Sequence, residues 1–279
     1  PRFCSMHDLV TSSLPDIQQS PDRRGVAIER VGISNLRYPL SVLDREHGSQ
    51  QTTATLALSV ALPAEIKGTH MSRFIEVLSS YQGVLSTQSL PEFLARLRER
   101  LKAPVAQIDV SFPLFLGRAA PATGKSALMD YTCALSAEDD GAHVDIVQRV
   151  EVHVASLCPC SKEISDYGAH NQRGRIDIAV RTAREPDGTP SMIWFEELIE
   201  VAEQSASSPL YPLLKREDER HVTMAAYDNP AFVEDILRNV AVRLREDARI
   251  SWFDVGVTNF ESIHNHNAFA RVSWERPGA

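Results

Sequence analysis

Leu56, Leu58, Val60 and Leu62 alternate with small or polar residues, which is the period of a half-buried strand. Gly25 to Val42, rich in β-branched and aromatic residues, is a plausible partner strand. The period then changes. Met71, Phe74, Ile75 and Leu78 recur at helical spacing, and so do Phe93, Leu94, Leu97 and Leu101. Leu90-Pro91-Glu92 suits the start of the second helix, because proline is tolerated in a first turn. Strands are expected over Val105 to Leu116 and Lys125 to Leu135.

The second half runs through a similar order. Val144, Ile146, Val150, Val152 and Val154 mark a long strand, and Ile176, Ile178 and Val180 a second. A helix is expected around Trp194 to Ala202. Another carries Phe232, Val233, Ile236, Leu237, Val240 and Leu244 on one stripe, with Asp228-Asn229-Pro230 as its cap and first turn. Ile250 to Val257 and Phe269 to Trp274 read as closing strands. The order suggests an internally duplicated α+β unit, each a four-stranded antiparallel sheet with helices on one face. The expected layout is a tail or arm over 1–25, a first unit over 26–140 and a second over 141–279. Open sheet edges need partners, so an oligomer is expected.

Composition narrows the class. The chain has 279 residues, 43% hydrophobic and 24% charged, which excludes wholesale disorder and a disulfide-stapled mini-protein. No apolar run approaches the roughly 20 residues of a membrane helix, and no export signal opens the chain, so a cytoplasmic address without membrane attachment is expected. The net charge of −8 makes polymeric nucleic acid a poor partner but leaves room for a small anionic substrate.

Two of the four cysteines stand in a Cys-Pro-Cys within Leu157-Cys-Pro-Cys-Ser-Lys-Glu-Ile-Ser-Asp-Tyr-Gly-Ala-His-Asn-Gln-Arg-Gly174. The stretch gathers thiols, an imidazole, carboxylates and cations between two expected strands, where function concentrates. No second Cys pair exists for a closed structural zinc site. A Cys, a His and a carboxylate with one open position suit a catalytic metal instead. The bland alternative, cysteines packing as small hydrophobes, is outweighed by the crowding. A Cys-x-Cys disulfide would be strained. Further donors are offered by Glu217, Glu219 and His221, which on spacing alone read as a solvated helix end. His264 and His266 stand two apart, and on extended chain their rings face one side. Gly68-Thr-His-Met-Ser-Arg73 reads as a helix start, with His70 and Arg73 as possible contacts.

The Cys-Pro-Cys loop with Gly-Ala-His-Asn-Gln-Arg-Gly resembles the signature of the prokaryotic GTP cyclohydrolases of type IB. Gly-Thr-His-Met-Ser-Arg-Phe, Leu-Leu-Lys-Arg-Glu-Asp-Glu and Glu-Ser-Ile-His-Asn-His occur in the same order and strengthen it. The resemblance implies two tandem tunnelling-fold units, and a homotetramer with active sites at subunit interfaces. It implies hydrolysis of GTP to formate and 7,8-dihydroneopterin triphosphate, a metal-activated water attacking guanine C8. The implied ligands of a divalent zinc, manganese or iron are Cys158, His170, Glu219 and His264, with Glu219 preferred to Glu217. His266 is implied as proton donor, Glu261 and Glu234 for proton transfer or guanine recognition, and Lys162, Arg173, Arg175, Lys215 and Arg216 for the triphosphate. The sister nitrile reductases of queuosine synthesis need a Glu-Ser-Lys-Ser motif that the chain lacks. A non-catalytic metal-binding protein is the other rival.

Overall fold

The computed structural model describes residues 16–278. Residues 1–15 of the expected tail, Cys4 among them, lie outside the described residues. The first half begins with a long hairpin, β1 (Ile28–Asp44) and β2 (Gly48–Leu62). Helix α1 (Met71–Ser80), the two-residue β3 (Val84–Leu85) and helix α2 (Leu90–Leu101) follow, then a second hairpin, β4 (Ala106–Ala119) and β5 (Ser126–Asp139). The second half opens with β6 (Val144–Leu157), the short helix α3 (Pro159–Ile164) and β7 (Asn171–Thr182). Helix α4 (Phe195–Glu203), the two-residue β8 (Ser208–Pro209), α5 (Arg216–Asp228) and α6 (Val233–Glu246) come next. Strands β9 (Ile250–Asn259) and β10 (Ala268–Glu275) close the chain.

All ten strands join one sheet in the order β10-β9-β7-β6-β5-β4-β2-β1-β3, with β8 beside β6. The long strands pair antiparallel, and only the β1–β3 contact is parallel among the described residues. The expected boundary at 140/141 falls in the turn between β5 and β6, which pair from Thr132↔Glu151 to Asp139↔Val144. The two halves also share one apolar core, from Leu56 and Phe112 through Val152 and Ile178 to Ile236 and Phe253. Phe112 of β4 meets Phe195 of α4 edge to face, with ring centroids 5.6 Å apart, so the core runs unbroken across the midpoint.

Strands run further than apolar alternation shows, because ladder hydrogen bonds persist where side chains turn polar. In β2, Thr52 is buried and its hydroxyl donates to the Pro113 carbonyl at 2.8 Å, extending the strand back to Gly48. Residues 16–22 do not reach outward as an arm. They run along 65–68, with Pro21 bridged to Ile66 and Asp22 N–H donating to the Glu65 carbonyl at 2.8 Å. The expected cap of the last helix is also corrected. Asn229 ends α5, its N–H donating to the Ala225 carbonyl, while Phe232 caps α6 and Asp235 accepts the Phe232 N–H at 3.1 Å.

Candidate active site

The loop between β6 and β7 is built by its own backbone. Pro159, which has no N–H to satisfy, occupies the first position of α3, and Cys158 is the N-cap. Cys158 Sγ accepts the Ser161 N–H at 3.4 Å. Cys158 N–H donates to the His170 carbonyl at 3.1 Å, and His170 N–H donates to Ser161 Oγ at 3.3 Å. Twelve residues of sequence separation are thereby closed into a throat whose two ends, Cys158 and His170, meet through the backbone. His170 Nδ1 lies 2.8 Å from Gln172 Oε1 and 3.9 Å from Glu261 Oε2, and both the His170 and Glu261 side chains are mostly buried. A proton shared between Nδ1 and Gln172 leaves the Nε2 lone pair for a metal, the usual second-partner arrangement of a ligating histidine.

The remaining expected residues are distributed over other elements. His264 and His266 lie in the turn 260–267, not on extended chain, yet their rings stack with centroids 4.9 Å apart. The turn is held to β7 by Phe260 N–H, which donates to the Arg173 carbonyl at 2.9 Å. Glu219 and Glu217 are exposed in the first turn of α5, Lys215 is its N-cap and Arg216 its first residue. Glu234 is exposed in the first turn of α6. Lys162 is engaged: its Nζ donates to the Tyr227 carbonyl at 2.6 Å and sits 4.3 Å from the Tyr227 ring centre. Arg173 is exposed, while Arg175 pairs with Asp177 at 3.0 Å. His70 Nε2 meets Asp16 of its own chain at 2.9 Å. Cys160 is exposed on α3.

Among the described residues, no three His, Cys, Asp or Glu side chains lie close enough together to hold a metal ion. Backbone bonds tie Cys158 to His170 and Glu261 approaches the His170 ring, but these side chains, Glu219 and His264 are not gathered into one donor set. Thiol, imidazole and carboxylate fit a divalent transition metal in donor type.

Two contributors lie inside the quoted motifs but were given no role there. Gln172 orients His170 from two positions away, at the point where the loop enters β7. Asp218 is fully buried and accepts from Lys215 N–H, Ala122 N–H, Thr123 N–H and Thr123 Oγ1 at 2.7–2.9 Å. Burial alone would raise its pKa, but these hydrogen bonds outweigh it and hold the carboxyl well below the ordinary range. It fastens the helix carrying Glu219 to the β4–β5 turn of the first half.

A family model described as Type I GTP cyclohydrolase FolE2 matches residues 14–270. The GTP cyclohydrolase FolE2 of Fervidobacterium nodosum is 47% identical over 257 residues, covering 92% of this chain and 96% of that one. Its counterpart in Desulfosudis oleivorans is 48% identical over 265 residues, covering 94% and 99%. Among solved structures, a hyperthermostable variant of Bacillus sp. TB-90 urate oxidase superposes with a TM-score of 0.52 at 9% identity, covering 89% of this chain and 99% of that one. Urate oxidase from Bacillus subtilis 168 gives 0.51 at 9% identity, covering 90% and 100%. Those likenesses are of fold alone, and the fold is the α+β tunnelling fold. With its Cys-Pro-Cys loop closed against His170, and relatives of nearly its own length, the chain belongs to the Type I GTP cyclohydrolase FolE2 family.

Proposed function

We propose that the chain hydrolyses GTP to formate and 7,8-dihydroneopterin triphosphate, the opening reaction of tetrahydrofolate synthesis, at a divalent-metal site centred on Cys158 and His170. The observation that carries the reading is the loop closure itself: Cys158 N–H donates to the His170 carbonyl, and the Glu261 carboxylate lies 3.9 Å from His170 Nδ1. Cys158 and His170 would hold a zinc, manganese or iron ion, with Glu219 and His264 as the further donors. Bound there, the metal supplies Lewis acidity for hydration at guanine C8. The protein's own groups do the rest. Glu261, beside His170, takes up and returns protons. His266 protonates the departing guanine nitrogen as general acid. Glu234 accepts from guanine N1–H and the 2-amino group, which adenine cannot offer. Arg173, Lys215, Arg216 and Lys162 meet the triphosphate, Lys162 after leaving the Tyr227 carbonyl.

Assembly belongs to the same reading. The chain is taken as two tandem units, 26–140 and 141–279, closing with other copies into a cytoplasmic homotetramer whose sites lie between subunits. The unpaired outer edges support this: β10 pairs only with β9, and β3 covers only Ser41 and Val42 of β1. No helix of the described residues is long and apolar enough to cross a membrane. The test incubates purified protein with GTP and each metal in turn, and follows formate and the fluorescence of the oxidised pterin. Release of both, abolished by chelation and restored by metal, is expected. GTP left intact with every metal would overturn the reading.

A further inference from the structure

Beneath the throat runs a line of buried polar contacts. Asn259, the last residue of β9, donates from Nδ2 to Ser156 Oγ at 3.0 Å, and Ser156 donates onward to the Ala231 carbonyl at 3.2 Å. Asn259 is 2% exposed and Ser156 0%. Strands β9 and β6 are not neighbours, since β7 lies between them. The Asn259 side chain crosses at Gly174, which pairs with Val154 on one side and Asn259 on the other. A methyl group at 174 would lie 2.8 Å from Asn259 Oδ1 and 3.2 Å from Val154 Cγ2. Gly174 does not adopt a left-handed backbone, so glycine is required here for room and not for conformation.

The line runs next to the segments that carry Cys158, His170, Glu261 and Glu234. Ser156 stands two residues before Cys158, Asn259 two before Glu261, and Ala231 three before Glu234. Ser156 lies opposite Gln172, the partner of His170, and Ala231 N–H returns to the Leu157 carbonyl at 3.1 Å. Among the described residues, Asn259 Oδ1 is buried and accepts no hydrogen bond. An unpaired buried acceptor is costly, and a fold keeps one where the geometry it enforces has a use.

We propose that Ser156, Asn259 and Gly174 form a cross-strand lock that sets the spacing of Cys158, His170 and Glu261. They are positioning residues, acting on the metal through those three side chains. The inference rests on the reading of that trio as the metal and proton-transfer site. Zinc affinity, measured by competition with a chromophoric chelator, is compared for wild type, Ser156→Ala, Asn259→Ala, Gly174→Ala and the Gly174→Ala/Asn259→Ala pair. The alkylation rate of Cys158 in metal-free protein, resolved by mass spectrometry, is the second readout. Each single variant is expected to bind zinc roughly 10–100-fold more weakly, the usual loss when support behind a ligand is removed. Each is expected to expose Cys158 to faster alkylation while remaining folded by near-UV circular dichroism. The double variant should lose less zinc affinity than the two single losses multiplied, because the methyl group's tightest contact, Oδ1, is gone and only the looser one to Val154 Cγ2 remains. Losses that multiply in the double variant, or unchanged zinc affinity and Cys158 reactivity in folded Ser156→Ala, would overturn the lock. Ser156→Ala removes a single oxygen and carries the test if Gly174→Ala fails to fold. Wild type that binds zinc but leaves GTP intact would sink the proposed function while leaving the lock standing. Wild type that binds no zinc would sink the metal site, and the alkylation rates would still decide the lock.

Discussion

At the scale of single residues, the two thiols of Cys-Pro-Cys are placed for different work. Cys158 is half-buried and tied by its N–H to His170, whereas Cys160 is exposed on α3. Cys158→Ala should therefore lose bound metal and GTP hydrolysis together, and Cys160→Ala should keep its metal. Equal metal loss in both, by elemental analysis, would reverse that assignment. His264 and His266 stack, so separating their roles needs two readouts. His266→Ala should retain near-normal metal content while turnover falls about 10²–10⁴-fold, the range for a lost general acid. Falling metal occupancy would exchange the roles of the two histidines. The chemistry at this scale was legible where the donors share one loop. It was not legible for Gln172 or Asn259, whose partners are fixed by strand register.

At the scale of elements, sequence periodicity located the apolar strands and helices and missed the polar ones. Helix α5 buries little beyond Asp218 and Ala226, so it shows no apolar stripe to read. Helix α3 has no buried residue and owes its existence to the Cys158 cap and Pro159. Turns follow the same rule. Asp44 closes the β1–β2 hairpin, accepting from Glu46 N–H, His47 N–H and Gln50 Nε2 at 2.8–2.9 Å, and is 3% exposed. Burial acts to raise its pKa, but the hydrogen bonds prevail and hold it below the ordinary carboxylate value. Asp44→Ala should cost about 1–3 kcal/mol at pH 7 by urea unfolding, because buried donors lose their acceptor. A carboxyl depressed by folding stabilises above its unfolded pKa and loses that contribution as pH falls through the folded one. The gap between wild type and variant should accordingly narrow below about pH 3.9. A gap that stays constant down to pH 2 would show that the carboxylate charge is irrelevant.

At the scale of the whole molecule, the proposed tetramer with shared sites would cover the outer sheet edges at β10 and at β1, which among the described residues β3 covers only in part. If Arg73 of a neighbouring first half completes the pocket, Cys158→Ala and Arg73→Ala proteins, each inactive alone, should recover part of the activity when their subunits are allowed to exchange. Full activity in an isolated monomer, by light scattering at assay concentration, would exclude shared sites. The sequence by itself determined the α+β class, most of the apolar strands and helices, and the loop that joins thiol to imidazole. Those features depend on periodicity and on residues near one another along the chain. Only the tertiary structure decided that both halves share one sheet and one core, that residues 16–22 fold back on 65–68, and that Asn259 reaches Ser156 over Gly174. Each of those contacts joins residues tens of positions apart through strand register and close packing, which alternation along a single chain cannot encode.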